Sequence, residues 1–293
     1  MNLLLAMFAA FLWGTTYAVT QYSLPGWPPL LLGALRALPA GLLLLAMRPR
    51  VPHGREWRSL ALIGTINIAV FFGLIFVMAL TLPSAISGVG MVSVPVMAML
   101  YHYVMHRVRP SGVQMISGAA LVALAWLLFD PGTLALNPVG MAAMLGAILC
   151  IVVGSGLTKS VGGRIHWWTV LSWQLVIGGA LLSVAAGVDG VMRPEVYQAV
   201  FSDFSVRNGL GLAWVILLNT ALAYGLYVWL LQRMTVVEFT FGSIANPIAG
   251  IVSGLVLVNE SYTPGQYALM AGMILMSLCP QLWNLYRQKR RTL

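Results

Sequence analysis

Gly90-Met-Val-Ser-Val-Pro95 and Gly242-Ser-Ile-Ala-Asn-Pro247 follow one pattern, a glycine five residues before a proline inside a long apolar run. The prolines stand 152 positions apart (247 minus 95), and the same offset lays Asn67 on Asn219, Ala69 on Ala221, Gly73 on Gly225, Leu74 on Leu226 and Gln114 on Gln266. Upstream the register drifts to 138, where Arg36 falls on Gln174 and Gly41 on Gly179, as loops of unequal length require. The chain reads as two copies of one unit of roughly 140 residues. The first copy spans residues 1–137 and the second 138–293.

Composition names the solvent. With 60% hydrophobic residues, 8% charged and a mean hydropathy of +0.89, the chain has too little polar surface to cover a globule in water. Helices in a bilayer satisfy their own backbone and need about 20 apolar residues to cross. Cutting wherever charge, Pro and Gly cluster leaves ten such segments, near 3–22, 29–47, 60–80, 84–106, 111–129, 139–160, 167–188, 209–231, 239–258 and 264–283. The expected fold is an all-α integral membrane protein of ten transmembrane helices. Five helices is an odd number, so the second copy must be inverted relative to the first, a plan that recurs in secondary transporters.

Basic residues in short loops mark the cytoplasmic side. With the N-terminus inside, the cytoplasmic loops and tail hold 13 of the 16 Lys and Arg residues, in loops 48–59 and 107–110, at Lys159, Arg164 and Arg233, and in the tail 287–291. Five of the seven acids fall on the other side: Asp130, Asp189, Glu195, Asp203 and Glu260. The net charge of +9 is thus a topology signal, and nucleic acid is not an expected partner. The expected location is the cell inner membrane, multi-pass, with both termini cytoplasmic and with a monomer sufficient for the plan.

The polar residues inside the spans are the candidate site. Trp13 and Tyr17 recur at helical spacing in the first segment, deeper than the interfacial belt that accounts for Trp27, Trp57, Trp167, Trp168 and Trp283. Arg36 is the strongly basic residue well inside an apolar segment. A charge at that depth faces protein or a wet cavity, so it either binds an anionic group of the substrate or ties two helices together. Asn67 and Asn219 occupy repeat-related positions mid-span, where amides seek partners across helices, and Asn246 adjoins Pro247. Gly90 with Pro95, and Gly242 with Pro247, are expected kinks, because proline removes a backbone donor and pushes against an earlier carbonyl. The candidate substrate-binding set is therefore Trp13, Tyr17, Arg36, Asn67, Asn219 and Asn246, and the candidate gating set is Gly90, Pro95, Gly242 and Pro247.

With these residues in view the sequence resembles the EamA-type members of the drug/metabolite transporter superfamily, ten-helix proteins built from the five-helix unit above. The resemblance is carried by Trp13-Gly14-Thr15-Thr16, Arg36, Pro95, Pro247, and Glu260 followed by Gln266 and Gly272. It implies a transporter of amino acids and other small metabolites, and the aromatic-rich first helix resembles the branch that exports amino acids, aromatic ones included. One departure is visible. The family's acid thirteen residues after the helix-nine proline is present as Glu260, but the equivalent position after Pro95 is Val108, between Arg107 and Arg109.

Enzyme signatures do not assemble. Gly154-Ser-Gly-Leu-Thr-Lys159-Ser160 has a phosphate-loop flavour, yet Thr158 precedes the lysine and no strand comes before it. His102 and His106 share a helical face, but the residue after His102 is Tyr103 rather than Glu, and the chain has four histidines. No metal, cofactor or catalytic residue is expected. No Asp or Glu falls inside a span, which disfavours cationic drugs and suits an uncharged or zwitterionic solute. Two alternatives stay open: a carrier of phosphorylated or nucleotide-linked sugars, which needs more interior cations than Arg36, and an integral-membrane enzyme at the cytoplasmic face around His102, His106 and Arg109.

Overall fold

A computed structural model describes residues 2–107, 109–128, 136–231 and 242–291, and the regular structure among them is helical. In chain order the helices are α1 (Asn2–Ser23), α2 (Pro29–Met47), α3 (Glu56–Thr81), α4 (Ser84–Met105), α5 (Gly112–Leu128), α6 (Pro138–Ser160), α7 (Trp167–Met192), α8 (Pro194–Ser202), α9 (Val206–Leu230), α10 (Ala245–Leu257) and α11 (Pro264–Arg291). Each of the ten apolar segments of the sequence contains a helix. The added element is the short α8, and Val108, Asp130 and Arg233 lie outside the described residues. Among the described residues seven helices are long and apolar enough to cross a membrane, while α5 and α10 are shorter apolar helices. Ile116, Trp126 and Val191 lie exposed on the outside of the bundle. In water such a surface would drive aggregation, whereas in lipid it is the face that meets the solvent. The molecule is a multi-pass membrane protein.

The sequence supplies the helix starts. Pro29 takes the first position of α2, where its missing N–H breaks no ladder bond. The Asn137 side chain accepts from the Val139 N–H at the start of α6, and Ser205 and Asn208 bond reciprocally at the start of α9. His166 caps α7 by accepting from the Trp168 N–H at 3.2 Å. Desolvation and the nearby Arg50 and Arg48 hold this imidazole below its usual range, which keeps Nδ1 free to accept. At the same end Trp168 and Trp173 donate to the carbonyls of Arg48 and Arg50 (3.1 and 2.6 Å), pinning the α2–α3 loop to α7. At the opposite end Asn208 Nδ2 donates to the Ser23 carbonyl at 2.6 Å, joining the end of α1 to the start of α9.

Several helices are irregular inside the bundle. The ladder of α3 is wound as a π-helix over Thr65–Val70, and that of α9 over Trp214–Leu222. Helix α4 passes through a 3₁₀ turn at Met91–Ser93, and Gly242–Ser243 are separated from α10 by a turn at Ile244. Pro95 and Pro247 each follow such a break, in the first turn of the helical piece beyond it. There proline costs no ladder bond, so the irregularity precedes the proline instead of bending a continuous helix around it. The main packed pairs are α2 with α7, α1 with α10, α5 with α11, α3 with α6 and α4 with α10.

Candidate functional site

The π-wound stretch of α9 builds the site. Thr220 donates its hydroxyl to the Val215 carbonyl five residues back (2.8 Å), and the same oxygen accepts from Arg36 Nε on α2 at 2.8 Å. The guanidinium lies over the Phe72 ring at 4.2 Å from its centroid, with Phe76 at 5.9 Å, a cation–π placement. Arg36 is only 4% exposed. Nε donates to Thr220, and among the described residues no carboxylate pairs with Arg36, the ion pair there being Arg193 with Asp189. A buried cation normally carries a full set of partners. Among the described residues the guanidinium is met by Thr220 at Nε and by the rings of Phe72 and Phe76.

Asn219 directly precedes Thr220, the partner of this cation. Its Nδ2 donates to Thr16 Oγ1 at 2.6 Å and its carbonyl accepts from Trp13 Nε1 at 2.9 Å, while Trp214 Nε1 donates to Thr15 at 2.9 Å. The Asn219 side chain is fully buried, yet Oδ1 has no donor. Trp13 meets Tyr224 and Tyr227 edge-on at 5.3 and 5.2 Å, and Tyr224 meets Phe72 at 6.0 Å. An aromatic wall thus runs from α1 through α9 to the face of Phe72 under Arg36.

Of the candidates from sequence, Trp13, Arg36 and Asn219 come together here. Tyr17 is 3% exposed and packs into the core with Ile75, Met78 and Ala147, within electrostatic reach of Arg36. Asn246 touches α1 at Gly14, where an added methyl would overlap the Asn246 carbonyl oxygen, and its own Oδ1 is buried without a donor. Asn67 stands apart. Its Nδ2 donates to the Gly154 carbonyl (3.3 Å) and to Thr158 Oγ1 (3.0 Å) on α6, and Gly154 leaves no room for a side chain against it. Of the candidate gating set, Gly90 lies against Met144 of α6, and Gly242 against Ala6 of α1, whose Cβ would be 2.6 Å from an added one.

Because the Asn67 amide is committed to α6, Asn67→Ala should lower stability by about 0.5–1.5 kcal/mol, the net worth of a neutral hydrogen bond, and leave solute affinity unchanged. Thermal unfolding beside concentration-dependent transport reads both.

Sequence reasoning missed Phe72, Thr220, Tyr224 and Tyr227. Tyr224 lies five residues after Asn219. A regular α-helix would turn it off the Asn219 face, and only the wider π winding brings it back. The side chains of His102 and His106 fall outside the described residues, which otherwise hold no cluster of metal-ligating groups. Two apolar grooves, about 650 Å³ between α4 and α5 and about 330 Å³ between α2 and α7, lie away from this site.

Residues 1–129 match the EamA-like transporter family. Protein PecM of Dickeya dadantii (strain 3937) is 27% identical over 264 residues, covering 89% of this chain and 86% of its own. The uncharacterized inner membrane transporter YedA of Escherichia coli (strain K12) is 26% identical over 284 residues, covering 93% of this chain and 88% of its own. A crystal structure of another protein superposes with a TM-score of 0.61 at 17% identity over 96% of this chain and 98% of that one, which is a likeness of fold.

Proposed function

We propose, from the match of residues 1–129 to the EamA-like transporter family, that the protein is an inner-membrane secondary transporter. It exports amino acids, aromatic and apolar ones included, or similar small metabolites, by alternating access between two inverted five-helix repeats. Exchange of the copies supports this reading. The π stretches fall at repeat-related positions, 152 residues carrying Asn67 onto Asn219. The partner offset of 138 carries Thr16 onto Gly154 and Ala6 onto Met144, so the Asn219–Thr16 and Asn67–Gly154 bonds are one contact twice. The Gly242–Ala6 and Gly90–Met144 contacts obey the same rule. The packed pairs α2 with α7, α4 with α10 and α5 with α11 each map onto themselves.

Arg36 carries the substrate reading. A buried cation with no carboxylate partner among the described residues, held by Thr220 next in sequence to Asn219 with its unpaired amide oxygen, offers a carboxylate one partner and an ammonium another, and the Trp13–Tyr224–Tyr227 wall suits an apolar side chain. A diphosphate of a nucleotide sugar asks for more positive charge, and Arg36 is the buried basic side chain among the described residues. The orientation with both termini inside agrees with the Arg48–Trp168 bond, which joins two segments assigned to the cytoplasmic end.

The test is purified protein in proteoliposomes with a panel of radiolabelled amino acids and their methyl esters as competitors. Free amino acids are expected to move, and esters to compete at least about tenfold more weakly, since they lack the charge that strengthens a hydrogen bond to arginine. Equal competition by acid and ester would remove Arg36 from the substrate site.

A further inference from the structure

Glu260 follows α10 in the loop that leads to α11, and its carboxylate reaches into the other repeat. Its Oε1 accepts from the Ser84 N–H (2.5 Å) and Oε2 from the Ala85 N–H (3.1 Å), the first amides of α4. Pro83 before them supplies no side-chain cap, so those orphan donors are satisfied from across the bundle. Tyr262 donates to Oε2 at 3.1 Å. Burial and the Glu260 charge hold the Tyr262 phenol above the usual tyrosine range, so its proton stays on the donor. The loop is shaped for the contact: Asn259 takes a left-handed φ of 56°, the Glu260 N–H returns to the Gly254 carbonyl at 3.1 Å, and a side chain at Gly254 would strike the carboxylate. Gln21 of α1 completes the closure, bonding the carbonyls of Ala79 and Leu82 (2.9 and 2.5 Å) and Ser84 Oγ (3.2 Å).

This end of the bundle is shut. Ser84–Gly90 are all buried, whereas beyond the Met91–Ser93 turn none of the described side chains of α4 is. The repeat-related loop at the opposite end turns the same way, with Arg107 at φ 55° in the place of Asn259. There the sequence has Val108 for Glu260 and an exposed Lys159 for Gln21. The turn recurs and the latch does not.

We propose that Glu260 is a one-sided latch that holds this mouth, the outer one in the assigned topology, closed at rest, so that the protein waits open to the opposite side. Outward opening must break the Glu260 bonds to α4, and among the described residues no equivalent bond opposes opening at the other end. The inference rests on the alternating-access reading, but its test uses no solute. A failed latch therefore leaves transport standing, and a failed transport panel leaves the latch standing.

The measurement is thiol labelling of Ser87→Cys in a background with Cys150 and Cys279 replaced by Ala, using a membrane-impermeant charged maleimide on reconstituted protein. Ser87 is fully buried behind the latch. Labelling should be slow in that background and rise at least about tenfold on adding Glu260→Gln, because a charge-assisted acceptor is replaced by a neutral amide. Gly254→Ala, which displaces the carboxylate without removing it, should accelerate labelling in the same direction and serves where the glutamine variant is poorly folded. Labelling within about twofold of the background in both variants would overturn the latch.

Discussion

Arg36→Gln should reduce transport of carboxylate-bearing solutes by about 100-fold at subsaturating concentration while leaving the protein as stable as the parent or more so. Two charge-assisted hydrogen bonds from the Nη atoms are worth roughly 1.5–3 kcal/mol each in context, and partial replacement by the amide brings the expected loss to that range. The stability half of the prediction separates the two roles left open by the sequence. If Arg36 were a structural tie, its loss would strand polar partners and destabilise the fold. Instead its hydrogen-bonding partner among the described residues is Thr220, which keeps its own bond to the Val215 carbonyl. Removing a buried cation with so few partners lifts a desolvation cost. Arg36→Lys should recover little, because a point ammonium cannot hold Thr220 and a carboxylate in one plane. Uptake kinetics and thermal unfolding on the same preparations decide it: normal transport with a large fall in stability would return Arg36 to packing.

The largest effect on folding is expected at Gly14. Any side chain there meets the backbone carbonyl of Asn246 and the Cβ of Ala249, so α1 and α10 must part. Overpacking costs about 1–3 kcal/mol when flexible side chains absorb it, and here the obstacle is main chain. Gly14→Val should therefore fall at or beyond the upper end and yield little monodisperse protein. Gly156 on α6 is the control, since nothing lies within 4 Å of its added Cβ. Gly156→Ala should be neutral or stabilising by up to about 1 kcal/mol through helix propensity. Equal melting of the two variants would mean that the α1–α10 contact is looser than described.

These expectations show where the sequence was legible. Hydropathy located all ten apolar segments because helix length and lipid solubility are local properties of a run of residues. The repeat offsets of 152 and 138 relate the Asn219–Thr16 contact to the Asn67–Gly154 contact, but which helices these amides would reach was not read from the sequence. What the letters did not disclose was winding. Tyr224 and Tyr227 join Trp13 because α9 adds a residue to its turn near Asn219, and no periodicity of 3.6 anticipates that. Arg36 read as a deep cation with two open roles, and its surroundings, Phe72 of α3 and Thr220 of α9, come from helices that its own segment does not reveal. Glu260 read as a loop acid because a contact across 176 positions leaves no trace in local pattern.

The π-wound stretches of α3 and α9 carry a mechanical consequence. Each stores one residue more than the α-helical ladder needs over the same rise. Passing that surplus along the helix, or expelling it, advances the remaining segment by about 1.5 Å and turns it by about 100°, the motion of a screw advanced by one thread mark. Asn67 and Asn219 sit on those threads, so a change of winding swings each amide away from the helix it now grips without bending any axis.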